Sequence, residues 1–227
     1  HWLEDARFNI IEHDEPWGWV LTVDVAEGVH RDSSTWTLSK VSGMGDGRKA
    51  DIVEQYETAL LDELVFAREV HNKALQYPNM TVAVDGDGPG RTVILHLQDQ
   101  GINVQTIRWG YPCHAKQDRK LYVNLRAYAT FKIREMLIDG RIKMGPNPKC
   151  VDQGCKIPYK INDKGQYQIW PKEKMKNEGI KSPDLFDTVC FIALANFIPV
   201  SEEMGPEDGQ GGTDWDGMME EFFEKTA

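Results

Sequence analysis

The clearest pattern in the chain is an apolar, β-branched run, Gly18-Trp-Val-Leu-Thr-Val-Asp-Val25, of strand length. Side chains alternate across a strand, so Val20, Thr22 and Asp24 share one face. A loop from Glu27 to Ser33 leads into a second alternating run, Ser34 to Val41. Gly43-Met-Gly-Asp-Gly47 is a turn signal, and Asp51 to Tyr56 reads as a third strand. Three short strands joined by turns predict an antiparallel meander. The period then changes. Leu60, Leu64, Ala67, His71 and Ala74 recur at helical spacing, and Pro78-Asn79 closes that helix. Thr81-Val-Ala-Val-Asp85 reads as a short buried strand, followed by the tight loop Gly86 to Gly90. A helix over Thr92–Gln100 stops at Gly101, and Ile102 to Ile107 is a fifth strand.

Beyond it, Asp118 to Asp139 reads as one long helix with Leu121, Leu125, Tyr128 and Phe131 on a stripe and Gly140 as its stop. Ile157–Ile161 and Gln166–Trp170 form a hairpin around Asn162-Asp-Lys-Gly165. A short helix, Lys172 to Glu178, closes at Gly179. Ser182 as N-cap and Pro183 in the first turn open a last helix running to about Ile198. The order β-β-β-α-β-α-β-α, hairpin, helix predicts an α/β fold: a mixed five-stranded sheet flanked by helices, with an added β-hairpin. Residues 1–17 are polar and read as a linker or edge segment, 18–200 as the folded domain, and 201–227 as an acidic, flexible tail.

Length and composition fit this picture. A chain of 227 residues, 41% hydrophobic, suits one domain with a real core. No apolar run approaches about 18 residues, so no membrane span is expected, and without a basic-then-apolar start no signal peptide is expected either. His1 in place of Met reads as a fragment, a processed product or a tagged chain. The four cysteines, Cys113, Cys150, Cys155 and Cys190, are too few and poorly spaced for a disulfide framework or a zinc site, which favours a reducing, intracellular setting.

Charge changes the reading more. The net value of −10 argues against nucleic acid until it is located. Ser201 to Ala227 holds nine acids and one base, whereas Arg108 to Lys181 holds seventeen bases and seven acids. Phosphate attraction is local, so a basic middle points to a nucleic-acid face despite the acidic average.

Four acidic residues, at three places in the chain, stand out by context. Asp24 ends an apolar strand, where a carboxylate is costly unless paired or metal-bound; an Asp turned to solvent at the strand edge is the plain alternative. Asp85 repeats the arrangement, with Asp-Gly turn chemistry as its competing explanation. Asp184 and Asp187 lie three apart on the last helix and project from one face. Asp184 in the first turn complements the helix dipole; Asp187 lies deeper, before the apolar Val189 to Ala195, and needs another explanation more. Hard divalent cations are held by a few carboxylates, and two such ions about 4 Å apart support phosphodiester cleavage without a nucleophilic side chain. No Ser/His/Asp or Cys/His arrangement competes.

At these residues the chain resembles the nuclease domain of viral, tailed-bacteriophage terminase large subunits. Val23-Asp-Val-Ala-Glu-Gly28 with Asp32-Ser33-Ser34 is similar to the first acidic motif of that family; Val84-Asp-Gly-Asp-Gly-Pro-Gly90, a helix and Gly101-Ile-Asn-Val104 to the second; and Lys172-Glu-Lys-Met-Lys with Gly179-Ile-Lys-Ser-Pro-Asp-Leu-Phe-Asp187 to the third. The resemblance spans about Trp19 to Phe197. It implies an RNase H-like fold in which the first and fourth strands are neighbours, bringing Asp24 and Asp85 together, with Asp187 and adjacent Asp184 supplied by the last helix. It implies two Mg²⁺ or Mn²⁺ ions, Asp187 being favoured over Asp184 as ligand, Asp32 an outer ligand or loop residue, and hydrolysis of double-stranded DNA as a genome-packaging endonuclease. Lys160, Lys164, Lys172, Lys174 and Lys176 would then hold DNA phosphates, as would Arg119, Lys120 and Arg126 unless these are merely solvated. Trp109 and Tyr111 either stack on bases or pack in the core.

The same resemblance implies work in the host-cell cytoplasm during virus assembly, with the portal and small terminase subunit as partners. The acidic tail either docks on such a partner or is simply solvated. No Gly-x-x-x-x-Gly-Lys-[Ser/Thr] loop occurs, so the family's ATPase motor is expected to be missing from this chain. Competing readings are a Holliday-junction resolvase or integrase of the same fold, a sugar-kinase-like nucleotide binder, and a non-catalytic packaging scaffold.

Overall fold

The computed structural model describes residues 2–13, 16–26 and 33–200. Its centre is a sheet of six strands: β1 (Trp17–Asp24), β2 (Ser34–Ser42), β3 (Lys49–Thr58), β4 (Thr81–Asp85), β5 (Val104–Ile107) and β6 (Ile142–Lys143), in the order β5-β4-β1-β2-β3-β6. The meander is antiparallel, and β4 lies parallel to β1 with Val23 opposite Val84. That register carries both chains outward in step, so Asp24 and Asp85 leave the same end of adjacent strands. The five expected strands are present. The sixth pairs only Ala50 and Asp51 with Ile142 and Lys143, too short a stretch to leave an alternating pattern.

Alternation along β1 builds two cores. Leu21 and Val23, with Leu38 of β2, pack beneath α2 (Glu63–Ala74) and α3 (Gly90–Asp99), against Phe66, Val70, Val93 and Leu97. Val20, with Val41 and Ile52, faces α5 (Leu125–Ile138) and α8 (Asp184–Phe191), against Ile133, Val189 and Phe191. The hairpin, β7 (Tyr159–Ile161) with β8 (Tyr167–Ile169), packs on α5 with α7 (Lys172–Asn177) through Phe131, Ile169 and Met175. None of the described helices is long and apolar enough to cross a membrane.

Several boundaries differ from the pattern. The long helix is interrupted: α4 (Lys116–Leu121) ends, Tyr122 and Asn124 are extended, and the Asn124 side chain accepts from the Ala127 N–H at 3.0 Å to start α5. An internal Asn thus acts as an N-cap, and Leu121 is exposed. The last helix ends at Phe191, and Ser182 does not cap it. The Phe186 N–H instead donates to Gln153 Oε1 at 3.0 Å. Gln153 lies on α6 (Pro148–Cys155), which the pattern misses because only Cys150 and Val151 on it are buried. On α2, Asp62 is the N-cap, while Leu60 and Leu64 of the expected stripe are exposed and Phe66 and Val70 carry the packing. The segment read as a linker or edge begins with α1 (Trp2–Asp5), whose Leu3 joins the core together with Ala6. Gly101 has φ of 74°, as a left-handed helix stop requires. All four cysteines are free. Asp32 and the acidic tail, 201–227, lie outside the described residues.

Candidate metal centre

Helix α8 rides on the sheet through hydroxyl groups, and this fixes its acidic end over β1. Thr35 Oγ1 donates to the Asp184 carbonyl at 3.2 Å, and the Thr37 and Thr188 hydroxyls meet at 2.6 Å. At the far end the Arg48 guanidinium, 5% exposed, donates to the carbonyls of Ile192 (2.7 Å) and Ala195. Its cation meets the negative end of the helix, satisfying carbonyls that have no intrahelical partner. Burial pulls the Arg48 pKa down to about 10.

So held, α8 presents Asp184 and Asp187 to Asp24. One carboxylate oxygen from each of the three lies within 4.8 Å of the others, and all three residues are buried. Three like charges so close repel one another, and a cation among them offsets this. Lys172, at the start of α7, supplies it: its Nζ lies 3.1 Å from Asp24 Oδ2, 2.9 Å from Asp184 Oδ1 and 3.4 Å from Asp187 Oδ2. Burial works against this ammonium, but the carboxylates of Asp24, Asp187 and Asp184 outweigh it and raise its pKa well above the usual range. Burial raises the Asp24 pKa, opposed by Lys172 and reinforced by Asp184 and Asp187. The Ser182 hydroxyl donates to Asp184 Oδ1, which explains why this serine is no N-cap.

Asp85 stands beside this trio and outside it. Its Oδ1 accepts from the Asp87 N–H at 3.1 Å, the local turn bond expected of Asp-Gly-Asp. Burial first, and the Asp24 charge second, push its pKa up to about 7. Gly90 keeps this corner tight: a Cβ there would lie 1.8 Å from the Asp85 carbonyl oxygen.

The basic residues divide. Lys172 is engaged by carboxylates. Arg126 is not solvated either: it is 9% exposed, and its Nη2 reaches both oxygens of Asp187, at 3.2 and 3.0 Å. Arg119 donates to the carbonyls of Cys113 and His114, and Lys174 lies over the Trp170 ring at 3.7 Å. Lys120, Lys160, Lys164 and Lys176 are exposed. Trp109 is a core residue, its ring centroid 4.4 Å from that of Phe191 and tilted by 38°, whereas Tyr111 is exposed. Sequence reasoning did not foresee Lys172 among the acids, Arg126 as a buried partner, or Gln153 as the α8 cap. Nothing in their local sequence signals contacts made across 12, 61 and 33 residues.

The donor set suits a hard divalent ion. It is all oxygen, its charge exceeds that of the cations beside it, and an ammonium already fits among three carboxylates.

Comparison with known proteins agrees. Over 210 residues, 91% of this chain, the sequence is 37% identical to the probable terminase large subunit of Enterobacteria phage P7. The chain is homologous to part of a terminase large subunit. It spans 42% of the length of that relative. No protein-family model matches. Among solved structures, a variant of the nuclease domain of large terminase subunit gp2 of bacterial virus Sf6, with manganese, superposes with a TM-score of 0.64 at 17% identity. The match covers 85% of this chain and 96% of that one. The large terminase nuclease of thermophilic phage G20c, with bound magnesium, gives a TM-score of 0.52 at 13% identity, over 82% of this chain and 84% of that one. At such identities these likenesses establish the fold, which is that of terminase nuclease domains. The reading made from three short acidic motifs thus holds for homology and fold.

Proposed function

We propose that residues 18–200 form a metal-dependent endodeoxyribonuclease domain that cuts double-stranded DNA during viral genome packaging. The observation that carries the proposal is the cluster of three buried carboxylates around one ammonium, at the end of paired parallel strands, in a chain homologous to a terminase large subunit. Asp24, Asp184 and Asp187 would hold one Mg²⁺ or Mn²⁺ ion, and Asp85, beside Asp24, would help hold a second. When bound, such ions activate water and stabilise the leaving oxygen of a phosphodiester. The protein supplies the rest: α8 fixes two carboxylates, β1 and β4 fix two more, and Lys172 holds the cluster together in the absence of an ion. Exposed Lys160, Lys164 and Lys176, with Lys120 and Lys174, are suited to phosphate contacts that position DNA without reading its sequence. The portal and small subunit as partners, and the host cytoplasm as the setting, are part of this proposal, with the homology as their support.

Calorimetric titration with Mn²⁺ tests the metal reading. Wild type is expected to bind, and Asp24→Asn to lose at least tenfold in affinity, since Asp24 touches both halves of the site. Equal binding by the two proteins would refute the assignment.

The raised Asp85 pKa sets a pH dependence. In the metal-free protein this carboxyl is protonated below about 7 and must ionise to receive a cation. Mn²⁺ affinity is therefore expected to rise between roughly pH 6 and 8, with proton release on binding. The stability contribution has the opposite slope. The folded pKa lies above the ordinary 3.8, so the contribution is full below that value and is lost as pH rises through about 7. Asp85→Asn should flatten both trends; titrations at three pH values in two buffers of different ionisation enthalpy check this.

A further inference from the structure

We infer that Arg126 is a positioning residue of the metal centre, acting through Asp187; the inference rests on the metal reading above. Arg126 opens the first turn of α5 and was a candidate phosphate contact by sequence. Its guanidinium points inward instead. One nitrogen, Nη2, spans both oxygens of Asp187 (3.2 and 3.0 Å), and Asp187 is completely buried. Oδ2, the oxygen nearer Arg126, also faces Lys172 at 3.4 Å. Asp187 is thus held by Arg126, while its Oδ2 turns to Lys172, whose ammonium stands where an ion would sit.

The grip is itself braced. The Arg126 backbone N–H donates to the Trp109 carbonyl at 3.3 Å, and the Trp109 ring lies 6.0 Å from the guanidinium carbon. The Arg126 carbonyl accepts from Thr130 Oγ1 at 2.8 Å. Trp109 follows β5, the strand beside β4 and Asp85. Arg126, through backbone and side chain together, therefore ties the residue after β5 and the first turn of α5 to a carboxylate of α8.

Two consequences follow from this geometry. A carboxylate held by both oxygens cannot rotate to embrace an ion with both, so Arg126 restricts Asp187 to one-oxygen ligation through Oδ2. The fixed positive charge also offsets one of the four carboxylates, Asp24, Asp85, Asp184 and Asp187, whether or not Lys172 stays in place. Groups that orient metal ligands in this way typically contribute 10–100-fold to affinity or activity. Arg is suited to the task where Lys is not, because its rigid, planar guanidinium holds Nη2 in one direction, whereas an ammonium sits on a flexible stem.

The test uses the full chain. Arg126→Lys keeps the charge and loses the planar guanidinium. It is expected to weaken Mn²⁺ binding by calorimetry 10–100-fold, and to move the Mn²⁺ concentration for half-maximal cleavage by a similar factor, with KM for DNA unchanged. A raised KM with an unchanged metal curve would make Arg126 a phosphate contact and overturn the inference. Lower thermal stability with unchanged metal affinity would make it merely structural and would overturn the inference too. If Arg126→Lys does not fold, Mg²⁺ titration of the wild type followed by NMR of the arginine side chains decides. The buried Arg126 guanidinium signal should shift with the half-saturation found by calorimetry with Mg²⁺, and a signal that stays put overturns the inference. Wild type that binds no Mn²⁺ at all would instead remove the metal reading on which it rests.

Discussion

Replacing Lys172 with alanine is expected to destabilise the metal-free protein and, at the same time, to tighten its hold on a divalent ion. The ammonium lies within 3.4 Å of Asp24, Asp184 and Asp187, and no other cation among the described residues reaches all three. Without it, three buried carboxylates within 4.8 Å face one another with only Arg126 nearby. Breaking a fully buried ion pair costs about 3–5 kcal/mol; here the lysine side chain is 39% exposed, so roughly 2 kcal/mol is the better expectation. For a domain of this size that lowers the thermal midpoint by about 5 °C. An ion entering wild type has to displace the ammonium, whereas in the variant it meets an unfilled cluster. Saturating Mn²⁺ should therefore raise the midpoint more in the variant than in wild type, since stabilisation follows the ratio of ligand concentration to Kd. Thermal unfolding in EDTA and in Mn²⁺ measures both. Equal Mn²⁺-induced shifts would mean that Lys172 and the ion do not share a place.

The second large effect separates two neighbouring acids. Asp184→Asn and Asp187→Asn are both expected to weaken metal binding at least tenfold, because each removes one of three clustered charges. They should differ in stability. Asp184 keeps the Ser182 hydroxyl and Lys172 as hydrogen-bond partners after conversion to an amide, and the change relieves repulsion with Asp24. Asp187 is the only carboxylate on buried Arg126 among the described contacts. Its loss leaves an uncompensated guanidinium at a cost of about 3 kcal/mol. Urea unfolding in EDTA should place Asp184→Asn near wild type and Asp187→Asn well below it. A reversed order would mean that the Arg126–Asp187 pair contributes little and that Asp184 bears the structural load.

The contrast marks where the sequence was informative. Asp24 and Asp85 were legible because each ends a short apolar run, and a carboxylate there stands out against the alternation. Their pairing came from the resemblance, which makes the first and fourth strands neighbours; that these strands are parallel and in register is a finding of the structure. The helix carrying Asp184 and Asp187 was legible from Ser182-Pro183 and the apolar stretch behind it. Its length was not, since the continuation to Ile198 turns after Phe191, where Ala193 and Leu194 bond back to Cys190 and Phe191. The break at Asn124 was hidden because a capping Asn inside a helical pattern looks like a surface residue. α6 was hidden because only two of its side chains are buried. Charge was legible in bulk and misleading in detail. The basic middle of the chain includes Lys172 and Arg126, yet these two cations face inward to acids that lie 12 and 61 residues away. Composition counts a charge but not its partner.

The most direct test of the central claim is cleavage of supercoiled plasmid by the purified full chain in Mn²⁺, Mg²⁺ or EDTA, with Asp24→Asn alongside. Wild type is expected to convert plasmid to nicked and linear forms only when a divalent ion is present. Folded Asp24→Asn should fall by at least a thousandfold, as expected when a metal-holding carboxylate that serves both parts of the site is lost. Cleavage by Asp24→Asn at the wild-type rate, or cleavage that survives EDTA, would contradict the account, because the carboxylate cluster would then have no part in the reaction.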